Sequence, residues 1–395
     1  MANSVRVQRA ENLSIAEKLS RISWGLFLLM SLVLVASVIT LYSIGNAPCA
    51  DQAKCVYEFG SWRPWALPQL LRIGLGMCVF FVAALANIKF LIRFSYFIFA
   101  VVIVMILFVA LWGHTGMGAQ RWINMFFFNV QPSELIKIAL IMTLARYFSW
   151  LNSVEVSQFK NYILSFLMVL VPFVLVVMQP DLGTALAMVI IAVFMFYIIG
   201  MPRIWFAVAV VVSLVAAPVL WNTALRDYQK DRILTMLNPG KDLKGKGYQI
   251  NQSKITIGSG GFLGKGLGRS DSQANLNFLP EKHTDFIFAV YAEKFGFLGA
   301  LVLIVIYLSM TLMIYGISKN SRNRFGQLFC FGFMTSFFVY YFINLAMVMG
   351  IMPIVGMPLP LMSYGGSSLI ALLFGFGLVQ NANIHKDMQL SSKGN

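Results

Sequence analysis

Charged side chains are scarce in this chain. Asp, Glu, Lys and Arg make up 11% of its 395 residues, while 59% are hydrophobic. A soluble domain carries roughly a quarter charged residues. A deficit of that size over this length excludes one greasy core inside a soluble protein. Acidic residues are the scarcer sign, 15 against 30 Lys and Arg, for a net charge of +15. No basic, aromatic-interleaved domain carries that charge, so nucleic acid is excluded as a partner. A signal peptide is not expected: no small-residue cleavage site follows the first apolar run, and about twenty polar residues precede it. No internal repeat is visible.

Apolar runs fill the chain instead. They reach the roughly 18–20 residues needed to cross ~30 Å of hydrocarbon. Ten spans are expected, over 24–44, 67–87, 91–112, 133–150, 162–178, 183–200, 204–221, 286–316, 326–349 and 364–382. The fold class is therefore all-α and polytopic, a single membrane domain over 1–395. With ten spans both ends share a side. That side carries Arg6, Arg9, Lys18, Arg21, Lys89, Arg93, Arg146, Lys160, Arg203, Lys319, Arg322, Arg324, Lys386 and Lys393. The short opposite loops offer only Lys54, Arg63 and Arg121, plus Arg72 at a helix start. The positive-inside rule puts both termini in the cytoplasm, with residues 383–395 as a cytoplasmic tail. Of four cysteines, Cys78 and Cys330 fall in spans as packing residues. Cys49 and Cys55 share the first external loop, where an oxidising exterior permits a disulfide; two free thiols are the alternative.

Residues 1–22 form a polar N-terminus. Within it Ser14 and Glu17 have capping-box spacing, and Ile15, Leu19 and Ile22 recur on one face. This predicts a short amphipathic helix on the inner membrane surface, or else an extension of the first span. Two loops interrupt the helical pattern. The first, 113–132, is rich in Gly and aromatics. The second, 222–285, lies between the seventh and eighth spans and is strongly polar. Its apolar anchors Ile250, Ile255, Ile257, Phe262, Phe278 and Leu279 predict an ordered, functional loop on the outside.

Four segments carry groups able to do chemistry. In FLPEKHTDFIFAVYAEKFGFLG, Asp285 stands where polar loop becomes apolar helix. It reads as a helix-start acid favouring the macrodipole, or as a general base at the membrane surface. The helix start lowers its pKa and partial burial raises it. In VQPSELIKIAL, Pro132 suits a first helical turn, and Glu134 and Lys137 share a face. They read as a structural ion pair or as the polar wall of a cavity open to the outside, which Arg121 could join as a phosphate ligand. IGSGGFLGKGLG at 257–268 fails as a nucleotide-binding loop: Gly266 follows Gly264-Lys265 where Ser or Thr is needed. Its glycines permit tight turns, with Lys265 as an anion contact or simply part of a flexible loop. In MPIVGMPLPLMSYGGSSL, Ser363 to Ser368 open the last span, either capping it or offering free N–H groups to an anion. Asp181, in MQPDLGTAL, is expected to cap the sixth span.

These segments together resemble the SEDS family (shape, elongation, division and sporulation). NFLPEKHTDFIFAVYAEKFGFLG, MQPDLGTAL, the QPSE-x-x-K segment and PLPLMSYGGSSL are similar to its motifs, in order, over about residues 20–385. GMPLPLMSYGG and FAVYAEKFG resemble its RodA branch rather than the FtsW division branch. QNANIHK and GRSDSQANLN are only loosely similar, and nothing is carried onto them. The resemblance implies a ten-helix fold and peptidoglycan glycosyltransferase activity on lipid II, in the bacterial inner membrane. It implies a class B penicillin-binding protein, a transpeptidase, as partner, with the nascent glycan strand as a further ligand. It places the family's HTD aspartate on Asp285, and the Glu and Lys of its fourth span on Glu134 and Lys137. The implied reaction is one inverting displacement: Asp285 accepts the proton of an acceptor hydroxyl, and a diphosphate leaves the sugar. Arg121, Lys137, Lys265 and other basic loop residues are candidates to hold that diphosphate, and Ser363 to line the site. A divalent cation could share the task, although no dedicated ligand cluster stands out. The rival readings are a lipid II flippase and a non-catalytic scaffold for the transpeptidase. A flippase should place ionisable groups through the depth of its spans, whereas Glu134, Lys137, Asp181 and Asp285 cluster at the outer ends.

Overall fold

The computed structural model describes residues 13–45, 60–112, 114–116, 119–125, 128–156, 158–223, 227–237, 242, 245–267 and 279–388. Cys49, Cys55, Phe278 and the segment 268–277 lie outside these residues. The helices are α1 (Ile15–Ser20), α2 (Trp24–Ser43), α3 (Leu67–Leu85), α4 (Ile88–Trp112), α5 (Pro132–Ser149), α6 (Ser153–Val156), α7 (Lys160–Met178), α8 (Leu182–Ile199), α9 (Arg203–Thr223), α10 (Asp227–Leu237), α11 (Lys246–Ser259), α12 (Ile287–Asn320), α13 (Arg324–Val348) and α14 (Ser367–Ile384). Among the described residues ten have 18 residues or more, and nine of those segments are long and apolar enough to cross a membrane. The exception is α5, which carries Glu134, Lys137 and Arg146. It tolerates them because it hardly meets lipid: 14 of its 18 residues are buried. It packs against α4, α13, α14, α7 and α8. At the other extreme, no described side chain of α9 is buried, and Val208, Val211, Leu214 and Val215 stand open on an apolar helix.

Helix contacts sort the molecule into two ends. At one, Gln380 on α14 bonds both main-chain groups of Ser23, just before α2. There Asn381 donates to the carbonyls of Ala83, Ala84 and Ala86, where α3 ends, at 3.0, 3.0 and 2.7 Å. The expected capping box of α1 is present, with reciprocal bonds between Ser14 and Glu17. At the opposite end lie the starts of α3, α5, α8, α12 and α14, joined by polar contacts described below. The glycine- and aromatic-rich loop there is not mere coil. It folds into a three-stranded antiparallel sheet, β1 (His114–Gly116), β2 (Ala119–Met125) and β3 (Phe128–Val130), with Ile123 opposite Val130. Of the two span cysteines, Cys330 is buried as expected, while Cys78 is exposed on the helical surface.

The large polar loop is helical over α10 and α11; α11 docks on α12 and α13, and α10 packs on α11. Ile250 and Leu279 anchor it, each 2% exposed, and Ser253 Oγ donates to the Val348 carbonyl. Ile255 and Phe262, expected as anchors too, face outward. The eighth span is longer than expected and broken. Gly296 has φ 69° and ψ −168°, so α12 is two helices meeting at a corner. The glycine-rich run after α11 fills that corner. Phe297 N donates to Gly261 O, and Gly266 N to Lys294 O, at 2.9 and 3.0 Å. Backbone groups freed by the break are thereby paired, as membrane-buried helix breaks require. A Cβ on Gly264 or Gly296 would run into the other strand's backbone.

Candidate active site

Asp285 ends the turn 279–286 and precedes α12. Its carboxyl is partly buried, and Oδ2 lies 3.6 Å from where a side chain on Gly356 would begin. The turn is held by its backbone. The carbonyl of His283 accepts from Tyr364 N at 2.9 Å, that of Thr284 from Ser363 Oγ at 2.7 Å, and that of Asp285 from Asn344 Nδ2 at 2.9 Å. Asn344, fully buried on α13, also donates to Met357 O at 2.7 Å. Three successive carbonyls are therefore fixed by α13 and the last loop, and the side chains are left to act. Stacking adds to the grip: the His283 ring lies 3.9 Å from that of Trp65, at 21°.

The field around Asp285 is mixed. Burial raises its pKa to about 6, and the Glu281 carboxylate pushes the same way. Lys246 and Arg232 oppose them. Lys246 itself is lowered to about 8, by burial and then by Arg232. Lys282 is lowered to about 8 by burial and by Lys294. Burial also lowers the pKa of His283, against the pull of Glu281. A carboxylate near 6 is ionised at neutral pH yet basic enough to take a hydroxyl proton in a transition state, the compromise expected of a general base.

Glu134 and Lys137 are paired at 2.7 Å, both 6% exposed. The Lys137 ammonium also sits 3.7 Å from the Tyr340 ring centre. They line a cavity of about 30 Å³ with Ser336, Tyr340 and Ser368. Asp181 caps α8 through Thr184 N and accepts from Ser133 Oγ at 3.1 Å. Its charge acts on both Lys137 and Asp285, so the pair and the base share one electrostatic neighbourhood.

Other expected site residues are placed differently. Lys265 pairs with the fully buried Glu293 at 3.0 Å, which commits its charge to the corner of α12. Ser363 does not open the last helix, which begins at Ser367. Its hydroxyl accepts from Leu359 N and donates to Thr284 O, bracing the turn rather than offering a free group to an anion. Arg121 lies in β2, and its side chain is outside the described residues. Sequence reasoning passed over Asn344, although a lone buried amide in an apolar span is a usable signal. Lys246 and Arg232 were only two of many loop cations; nothing in their spacing pointed to Asp285. Among the described residues no three His, Cys, Asp or Glu side chains gather as metal ligands.

The cell cycle protein family that groups FtsW, RodA and SpoVE matches residues 21–388. The chain belongs to this family. It is 39% identical over 319 residues to the peptidoglycan glycosyltransferase MrdB of Escherichia coli, covering 80% of this chain and 85% of that one. Over 333 residues it is 36% identical to MrdB of Helicobacter pylori, covering 82% and 84%. A probable peptidoglycan glycosyltransferase FtsW of Geobacter sulfurreducens is 35% identical over 330 residues, covering 82% and 79%. Among solved structures, a chain described under polymerization and crosslinking by a peptidoglycan synthase complex aligns with TM-score 0.76 and 26% identity, over 92% of this chain and 97% of that chain. The Thermus thermophilus rod shape determining protein RodA aligns with TM-score 0.66 and 25% identity, over 93% and 97%.

Proposed function

We infer that the chain is a peptidoglycan glycosyltransferase of cell elongation, that it polymerises lipid II, and that Asp285 is its general base. The curated MrdB relatives support the activity by name. The observation that carries the assignment to Asp285 is its carboxyl near 6 on a turn anchored at three carbonyls. The growing strand is the donor, bound through its anomeric carbon to a polyprenyl diphosphate. The acceptor hydroxyl of lipid II forms the new C–O bond on the face opposite the diphosphate. Its proton passes to Asp285, and the electron pair of the old C–O bond leaves with the diphosphate. One displacement inverts the anomeric centre and needs one base. Lys246 and Arg232 present positive charge on the same side of the molecule, where departing diphosphate charge develops.

The clustering of Glu134, Lys137, Asp181 and Asp285 at helix starts of one end favours transfer at a surface over flipping across the bilayer. By its Lys and Arg bias we place the end bearing both termini in the cytoplasm of the inner membrane, and the site outside it. The partner is a class B penicillin-binding protein; the resemblance to a chain of a peptidoglycan synthase complex supports this. The test is purified protein given lipid II, with and without that partner. Glycan strands from wild type and none from Asp285→Asn is the expected result. Strand synthesis by folded Asp285→Asn would refute the base.

A further inference from the structure

Two of the cations first expected to hold diphosphate, Lys137 and Lys265, are spent on carboxylates. Arg72 is not. It lies on α3 one and a half turns below the helix start, and its guanidinium rests 4.3 Å from the Tyr364 ring centre. Among the described residues no carboxylate lies within ion-pair distance of it, and Nη1 is buried with no hydrogen-bond partner. A buried N–H of a charged group without an acceptor is costly, and in a native fold it calls for an acceptor to meet it. Stacking occupies the guanidinium's face, and the unpartnered Nη1 lies on its N–H edge, the edge that takes phosphate bidentately.

The surroundings say what kind of phosphate fits. On α3, Leu71 and Leu75 flank Arg72 and are 68% and 44% exposed, an apolar face turned to hydrocarbon. A polyprenyl tail can lie along it and bring its headgroup to Arg72. Tyr364, under the guanidinium, donates its backbone N–H to His283 O, two residues before Asp285. Trp65 packs against both the His283 and Tyr364 rings. Arg72 Nε also borders Gly366, whose position at the start of α14 has no side-chain cap.

We propose that Arg72, seated on Tyr364, binds a phosphate of a lipid-linked diphosphate at the edge of the Asp285 turn. This rests on the glycosyltransferase reading for the identity of the substrate, and on Arg72 alone for the site. The test is binding without turnover. The full chain in phosphatidylcholine nanodiscs is titrated with undecaprenyl diphosphate, with undecaprenol as the uncharged control. Arg72→Gln is expected to weaken diphosphate binding tenfold or more and to leave undecaprenol unchanged. Arg72→Lys, which keeps the charge but loses the fork, should fall between. Tyr364→Leu, which removes the seat and keeps the guanidinium, gives a second reading if Arg72→Gln does not fold, and a several-fold loss is expected. Equal diphosphate binding by folded wild type and Arg72→Gln, or by Tyr364→Leu where Arg72→Gln is unfolded, would overturn the proposal. Phosphatidylglycerol competing as strongly, in an Arg72-dependent way, would make this a bulk headgroup site and overturn its substrate role. If wild type binds it through Arg72 yet makes no glycan, the enzymatic reading fails while the phosphate site stands.

Discussion

The carboxyl of Asp285 reaches about 6 because burial and Glu281 outweigh Lys246 and Arg232. An acid whose pKa the fold raises is destabilising when ionised, so its cost is absent near pH 4 and complete above about 6. Asp285→Asn should therefore be more stable than wild type at neutral pH, by on the order of 2 kcal/mol, with the gap narrowing toward pH 5. Thermal melts at the two pH values check this. The same variant should lose ~100-fold or more in rate. The wild-type rate should fall on an acid limb near pH 6. Lys246→Gln removes a charge that holds the carboxyl down, so the limb should move to higher pH; an unmoved limb would separate Lys246 from Asp285. The polar-to-apolar boundary marked Asp285 in the sequence. Glu281 stood in the same segment, but Lys246 and Asn344 were hidden because they reach Asp285 only when α11 and α13 pack against the turn.

Helix positions followed closely from hydropathy, because a span must be long and apolar whatever surrounds it. The departures have local causes. The small sheet at 114–130 was missed because its strands are short and glycine-broken. The break in α12 was missed because a lone glycine inside an apolar run is common. Its importance comes from the facing Gly264. Gly296→Ala would combine a backbone region open essentially to glycine with a collision against residues 262–264, at a cost of about 3 kcal/mol or more. Gly264→Ala strikes the same contact, so the double variant should cost less than the sum of the singles in detergent melts. On α5 the question is whether Glu134 and Lys137 are architecture or site. A buried pair often gains little over good packing, so two apolar replacements should leave a folded protein. Swapping the two keeps their attraction and reverses the field toward Asp181 and Asp285. Both variants are expected to be monodisperse and inactive. Wild-type synthesis by the swapped protein would reduce the pair to scaffolding.

Across the whole molecule, the end holding Asp285 and the end holding both termini have different work. The first gathers ionisable groups around a cavity and a fixed turn. The second is a clasp built from amides, in the stretch QNANIH that carried no reading from sequence. Amides there look unremarkable in the chain, since their value depends on which carbonyls end α3 and which N–H groups begin α2. Asn381 is 1% exposed, and its side-chain amide donates to the three carbonyls closing α3, joining α14 to its main neighbour. Asn381→Leu keeps the volume but leaves those carbonyls buried without donors, which should cost about 2–3 kcal/mol. The loss falls at the end opposite Asp285. Where the variant is still folded, its glycan synthesis per molecule should match wild type while its melting temperature is lower. An unchanged melting temperature would mean that water replaces the amide. A reduced rate in fully folded protein would mean that the clasp at one end sets the geometry of the turn at the other.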